Sequence, residues 1–193
     1  MSLSKNSPAR PALKPLPRSR TLAIGGLLIA MSVLLPFLFH LAGGSAAGGI
    51  FLPMHIPVLL GGFFLGPVWG AAVGVVAPVL NFLVYGSMPP LWRLPFMVLE
   101  LAAYGGFAGL FYRRLRLPSL VSLALSMAAG RLVFFLSLAA AIHLFGLTLP
   151  LGPSAWLALA GTVITGLPGI AVQLVLIPLL LLALKKGGLL RDG

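Results

Sequence analysis

A carboxylate, a guanidinium and an amide stand in three consecutive apolar stretches of this 193-residue chain, as Glu100, Arg131 and Gln173. Glu100 is one of only two acidic residues, the other being Asp192. Chemistry that needs two cooperating carboxylates therefore has no second partner within the chain. Cysteine is absent, which removes disulfides, thiolate metal ligation and a cysteine nucleophile. Serine, histidine and acid share no depth that would make a nucleophilic triad. No second histidine or acid lies near His55 to help it hold a metal. The expectation is a protein without catalysis or metal, whose polar groups serve recognition.

The elements that position those groups must cross a bilayer. The chain is 60% hydrophobic and 8% charged, with a mean hydropathy of +1.11. Soluble domains carry about 25% charged residues, so this composition could not keep a soluble surface wet. The fold class it implies is an all-α integral membrane protein with six transmembrane helices. Breaks of Gly, Pro and basic residues place the spans near 21–42, 53–66, 68–86, 90–112, 118–146 and 154–184. A span takes about 20 residues, so the second reads as short before Gly66-Pro67. The fifth and sixth are long enough to tilt. Residues 1–20, with Pro8, Pro11, Pro15 and Pro17 among basic residues, read as a disordered cytoplasmic tail. Residues 21–186 form the membrane domain and 187–193 a second cytoplasmic tail.

The net charge of +11 is distributed as topology signals rather than as a nucleic-acid surface. Lys5, Arg10, Lys14, Arg18 and Arg20 precede the first span, Arg113, Arg114 and Arg116 follow the fourth, and Lys185, Lys186 and Arg191 follow the sixth. The alternate segments 43–52, 87–90 and 147–153 contain no Lys or Arg. The positive-inside rule then puts both termini in the cytoplasm. The basic start and Ser45-Ala46-Ala47 resemble a signal peptide, but the run 21–42 exceeds the 7–15 residues of a signal core. It is kept as a span.

With that topology, Glu100 and Arg131 lie about 12 and 13 residues from the cytoplasmic ends of their spans, roughly 18–20 Å up at 1.5 Å per residue, and Gln173 about 11 residues from the end of its own. A charge at such depth costs about 2.5–3.5 kcal/mol on insertion scales. Either Glu100 and Arg131 satisfy one another and fix helix packing, or they floor an outward-facing cavity. Asn81, Tyr104 and His143 are further polar candidates. Above them, FLPMHIPVLLGGFFLGP follows a flexible GGSAAGGI loop and places His55 at the outer rim, as a gating or ligand-contacting residue or as a helix cap. The turn YGSMPPLWR supplies Tyr85, Met88, Trp92 and Arg93 to the same side. That makes a rim for a small molecule or an interfacial aromatic belt. Gly26 and Ala30 form a small-residue pair on the first span suited to an external partner. Gly70, Ala71, Gly74 and Pro78 on the third suit internal packing.

The order LAIGGLLIAMSVLLPFLFHLAGG, FLPMHIPVLLGGFFLGPVWGAAVGVVAPVLNFLVYGSMPP and LPFMVLELAAYGGFAGLFYRRL resembles the substrate-binding S component of an energy-coupling factor (ECF) transporter. The resemblance covers most of 21–116. It implies a bacterial plasma-membrane protein that holds a vitamin-sized ligand near the outer face. The site would comprise the segment through His55 with Glu100, Tyr104, Arg131, His143 and Gln173. It also implies partners, a transmembrane coupling protein docked on Gly26 and Ala30 and two ABC ATPases. The chain has no Walker motif, so no cofactor is its own and ATP is used by those partners. The ligands implied are a cobalamin precursor (dimethylbenzimidazole or alpha-ribazole) or pantothenate. A neutral heterocycle suits an aromatic rim, whereas a carboxylate wants Arg93 or Arg131 free. Two rival readings are a six-helix scaffold or assembly protein of the cell envelope, and a secondary transporter. The latter lacks a visible inverted repeat and a second acid for ion coupling.

Overall fold

Pro17 opens the first helix, its fixed φ suiting the residue before a helical turn. The computed structural model describes residues 17–86, 89–148, 150 and 155–186. Helix α1 spans Arg18–Phe51 and bends sharply at Gly44, whose φ of 67° lies in the left-handed region that glycine tolerates. α1 starts at Arg18, three residues before the expected 21, so two basic residues fall in its first turn. The larger correction is beyond the bend. Residues 45–51 are helical where a flexible loop was expected. The reason is tertiary: the backbone of Ile50 and Phe51 lies against Gly169, where a Cβ would come within 2.6–2.7 Å of it. The helix ends at Leu52, a non-glycine residue at φ 49° and ψ 48°.

The remaining helices are α2 (His55–Leu65), α3 (Pro67–Tyr85), α4 (Leu94–Gly109), α5 (Ser119–His143) and α6 (Ala155–Lys186). Pro57 sits in the first turn of α2, where its missing N–H leaves no intrahelical bond unmade. Gly66, at φ 92°, turns the chain from α2 directly into α3, and Pro67 starts that helix. α4 runs on into a π-helical turn, Leu110–Arg114. There the Arg113 guanidinium donates through Nη1 to the Phe64 carbonyl near the end of α2. Among the described residues there are no strands.

Among the described residues, six segments are long and apolar enough to cross a membrane: Arg18–Gly44, Gly48–Leu65, Pro67–Tyr85, Leu94–Arg114, Ser119–His143 and Val163–Leu184. The second corrects the expectation of a short span over 53–66. It begins at Gly48, passes through the Leu52 turn and reaches 18 residues. Leucines such as Leu22, Leu41, Leu132 and Leu182 are exposed on the outside of the bundle, as helices facing lipid require.

Glycines set the tightest packing. A Cβ on Gly70 or Gly62 would collide with the Gly105 carbonyl, and one on Gly74 with the Leu101 carbonyl. A Cβ on Gly109 would collide with the Gly66–Pro67 backbone. α2, α3 and α4 thus meet backbone to backbone, as helices without a solvent-driven force must. This bears out the internal-packing expectation for Gly70 and Gly74. The opposite side is looser, and α5 and α6 barely touch.

Candidate functional site

Proline chemistry decides the role of one predicted site residue. Pro36 lies inside α1 and has no N–H to give the carbonyl four residues back, that of Ser32. In a bilayer such a carbonyl needs another donor. Asn81 supplies it: its Nδ2 donates to the Ser32 carbonyl at 2.9 Å and to the Ala77 carbonyl at 2.8 Å. One amide hydrogen joins α3 to α1 and the other bonds back within α3, so both are committed. Tyr85 acts one turn on, donating to the Val33 carbonyl at 3.1 Å and stacking on Phe37. Neither residue belongs to the buried cluster described next.

That cluster is built where α2, α4, α5 and α6 face one another. Glu100 on α4 accepts from Arg131 Nη1 on α5 at 2.8 Å and from the Tyr104 hydroxyl at 3.1 Å. The depth matching of Glu100 and Arg131 is therefore realised as a direct ion pair. Gly130 makes room for the Tyr104 ring, since a Cβ there would fall within 2.5–2.9 Å of it. His55 meets Tyr104 edge-on with ring centroids 5.1 Å apart.

The position of His55 corrects the sequence expectation. It is 4% exposed, not at a rim. Because the second span starts at Gly48, His55 lies seven residues into it, about 10 Å along the axis. Its ring nitrogens have no hydrogen-bond partner, so the helix-cap reading falls too. Its backbone N–H donates to the Leu52 carbonyl at 3.0 Å. Gln173 Nε2 on α6 donates to the same carbonyl at 3.3 Å. The strained Leu52 turn is thus pinned from two helices directly beside the cluster.

Arg93 joins from the turn before α4. Its guanidinium carbon lies 5.6 Å from the centroid of the Phe134 ring, a cation–π contact. It is within electrostatic reach of Glu100, Arg131 and His55. Burial pushes the Arg93 guanidinium below its usual value and the Glu100 carboxylate opposes that shift. Trp92 beside it is half-buried, and Met88 lies outside the described residues. His143 is exposed at the end of α5, away from the cluster.

Six buried polar side-chain atoms in this cluster have no hydrogen-bond partner: His55 Nδ1 and Nε2, Arg93 Nε, Arg131 Nε and Nη2, and Gln173 Oε1. Buried polar groups elsewhere in the molecule, such as Asn81, Ser32 and Ser126, have partners. A buried group left unpaired costs about 1–3 kcal/mol, so six together in one place set this cluster apart from the satisfied polar groups elsewhere. Among the described residues no group of His, Cys, Asp and Glu could hold a metal.

Sequence reasoning missed Leu52, Phe134, Gly166 and Gly169. The two glycines had a signal in the GLPG run of α6, small residues three apart on one helix face. Gly26 and Ala30 are exposed on α1, with nothing within 4 Å of where a Gly26 Cβ would stand.

Comparison with known proteins agrees with this architecture. The sequence model of the family described as "ECF transporter, substrate-specific component" matches residues 20–181. No curated protein and no solved structure matches closely enough to be counted.

Proposed function

The chain belongs to the family of ECF transporter substrate-specific components, and from that premise we propose that it captures a vitamin or vitamin precursor for ATP-driven uptake across a bacterial plasma membrane. The family makes it a multi-pass membrane subunit of an importer rather than an enzyme. The ligand is a cobalamin precursor such as dimethylbenzimidazole or alpha-ribazole, or pantothenate. The ATP is hydrolysed by partner ATPases, and the chain itself needs no cofactor. The observation that supports capture is the set of six unpartnered polar atoms contributed by α2, α5, α6 and the turn before α4. An envelope scaffold would gain nothing from leaving them unpaired.

In this reading the termini are cytoplasmic and the site opens outward. His55, Arg93, Glu100, Tyr104, Arg131 and Gln173 form the site, with Trp92 in the turn before α4. Asn81 and Tyr85 hold α1 and α3 in place. The exposed Gly26–Ala30 face meets the coupling protein. The test is a thermal-shift panel of vitamins on the purified protein. Stabilisation by one compound at nanomolar to micromolar concentration is the expected result, whereas no stabilisation by any would sink capture.

A further inference from the structure

Resting on the capture reading, we infer that the substrate is a small carboxylate that also carries a hydroxyl or amide N–H, seated on the free edge of the Arg131 guanidinium. The argument starts from which nitrogens of Arg131 are used. Nη1 holds Glu100 at 2.8 Å. Nε and Nη2 are buried and unpartnered. Those two N–H groups point the same way and form the fork that takes both oxygens of a carboxylate. The ion pair therefore does not consume the guanidinium. It orients it, with Glu100 fixing one corner so that the opposite edge faces outward from the pair.

Charge supports the same occupant. Arg93 and Arg131 both act on Glu100, which among the described residues is the only carboxylate. One acid cannot neutralise two guanidinium groups, and Arg93 Nε is also buried without a partner. An incoming monoanion balances the site, while a neutral heterocycle leaves a buried positive charge uncompensated.

A small residue lies on the same edge. Gly166 on α6 faces Arg131 Nη2, and a Cβ there would stand 3.5 Å from that nitrogen. The far end of the ligand meets Gln173. Its Nε2 is committed to the Leu52 carbonyl, so Oε1 is the free end of the amide. A free carbonyl oxygen accepts, which calls for a donor on the ligand. The His55 imidazole can serve either way at the same end.

The test uses the full chain in detergent and calorimetric titration with matched pairs that differ at one carboxyl: pantothenate and pantothenol, nicotinate and nicotinamide, biotin and its methyl ester. Neutral 5,6-dimethylbenzimidazole is included. One carboxylate is expected to bind, with its neutral counterpart about 100-fold weaker or more, the worth of a bidentate charged pair. The Glu100→Gln/Arg131→Gln double substitution, which removes both members of the ion pair together, should abolish that preference. Gly166→Ala, which keeps every charge, should weaken the carboxylate about tenfold by crowding the fork. Tight binding of a neutral compound, or equal binding of both members of a pair, overturns this inference while capture stands. Binding of nothing in the panel removes capture itself, and this inference with it.

Discussion

Two halves of the bundle handle space and polarity in opposite ways. Along α2, α3 and α4, glycines bring backbone against backbone, and Arg113 at that seam is satisfied by the Phe64 carbonyl, with His55 at the start of α2 the exception. Across the bundle, α5 and α6 barely touch each other, and their facing polar atoms on Arg131 and Gln173 go unpaired. Both halves lie within the same apolar environment, so solvent does not explain the difference. One half spends its small residues on closeness. The other, with Gly166 and Gly169, uses them to seat the Leu52 turn and to bring α6 close to a guanidinium. A rigid platform of three helices thus faces a looser wall that can admit a guest.

The largest expected effect comes from the ion pair that joins the halves. Arg131→Ala leaves Glu100 buried without its partner and should cost about 3–5 kcal/mol, read as a fall in thermal midpoint in detergent. Glu100→Gln/Arg131→Gln removes both charges and should recover most of that loss. If the single and double substitutions are equally damaging, Arg131 stabilises by packing and not by charge.

Next come substitutions that set the two glycine sets against each other. Gly105→Val places two methyls into the α3 backbone at Gly70 and should cost at least the roughly 1–3 kcal/mol of an overpacked core. Gly166→Ala meets only side-chain atoms, the nearest being Leu52 Cδ1 at 3.1 Å. It should leave the thermal midpoint within about 1 kcal/mol of the wild type while weakening ligand. Equal destabilisation by both would erase the contrast between platform and wall.

How far the sequence reached follows the same division. Six spans and the common depth of Glu100 and Arg131 were legible because rise per residue and basic clusters fix depth along a helix axis. Rotation about that axis is not fixed until a partner helix is known. Asn81 reads as a polar group for a ligand, yet Pro36 leaves a carbonyl in α1 that claims it. That pairing could have been anticipated from the proline alone. His55 was misplaced because glycines at 43–49 read as loop, and the helix over 45–51 forms through contact with Gly169, 118 residues away from Phe51. Local propensity carries no record of such a contact.

His55→Phe sharpens the comparison at smaller scale. Phenylalanine keeps an aromatic ring against Tyr104 while deleting two unpartnered nitrogens. The expected outcome is a gain of up to about 1–2 kcal/mol in stability with weaker ligand binding, a trade that a purely structural histidine would not make. A drop in stability would mean that the nitrogens are satisfied in the membrane and that the wall is less open than proposed.

The smallest expected effect on stability lies on the outer face of α1. Gly26 is exposed and a Cβ there meets nothing within 4 Å, so Gly26→Leu should shift stability by no more than about 0.5 kcal/mol, the higher helix propensity of leucine acting in its favour. Ligand affinity should also be unchanged, because the cluster around Arg131 is built from other helices. Uptake in cells expressing the whole importer is the readout that should fail, since a leucine would hold a coupling protein away from a face shaped by small residues. Preserved uptake with this variant would move the docking surface off α1. It would leave the contrast between the glycine platform and the polar wall intact, because that contrast rests on contacts inside the bundle.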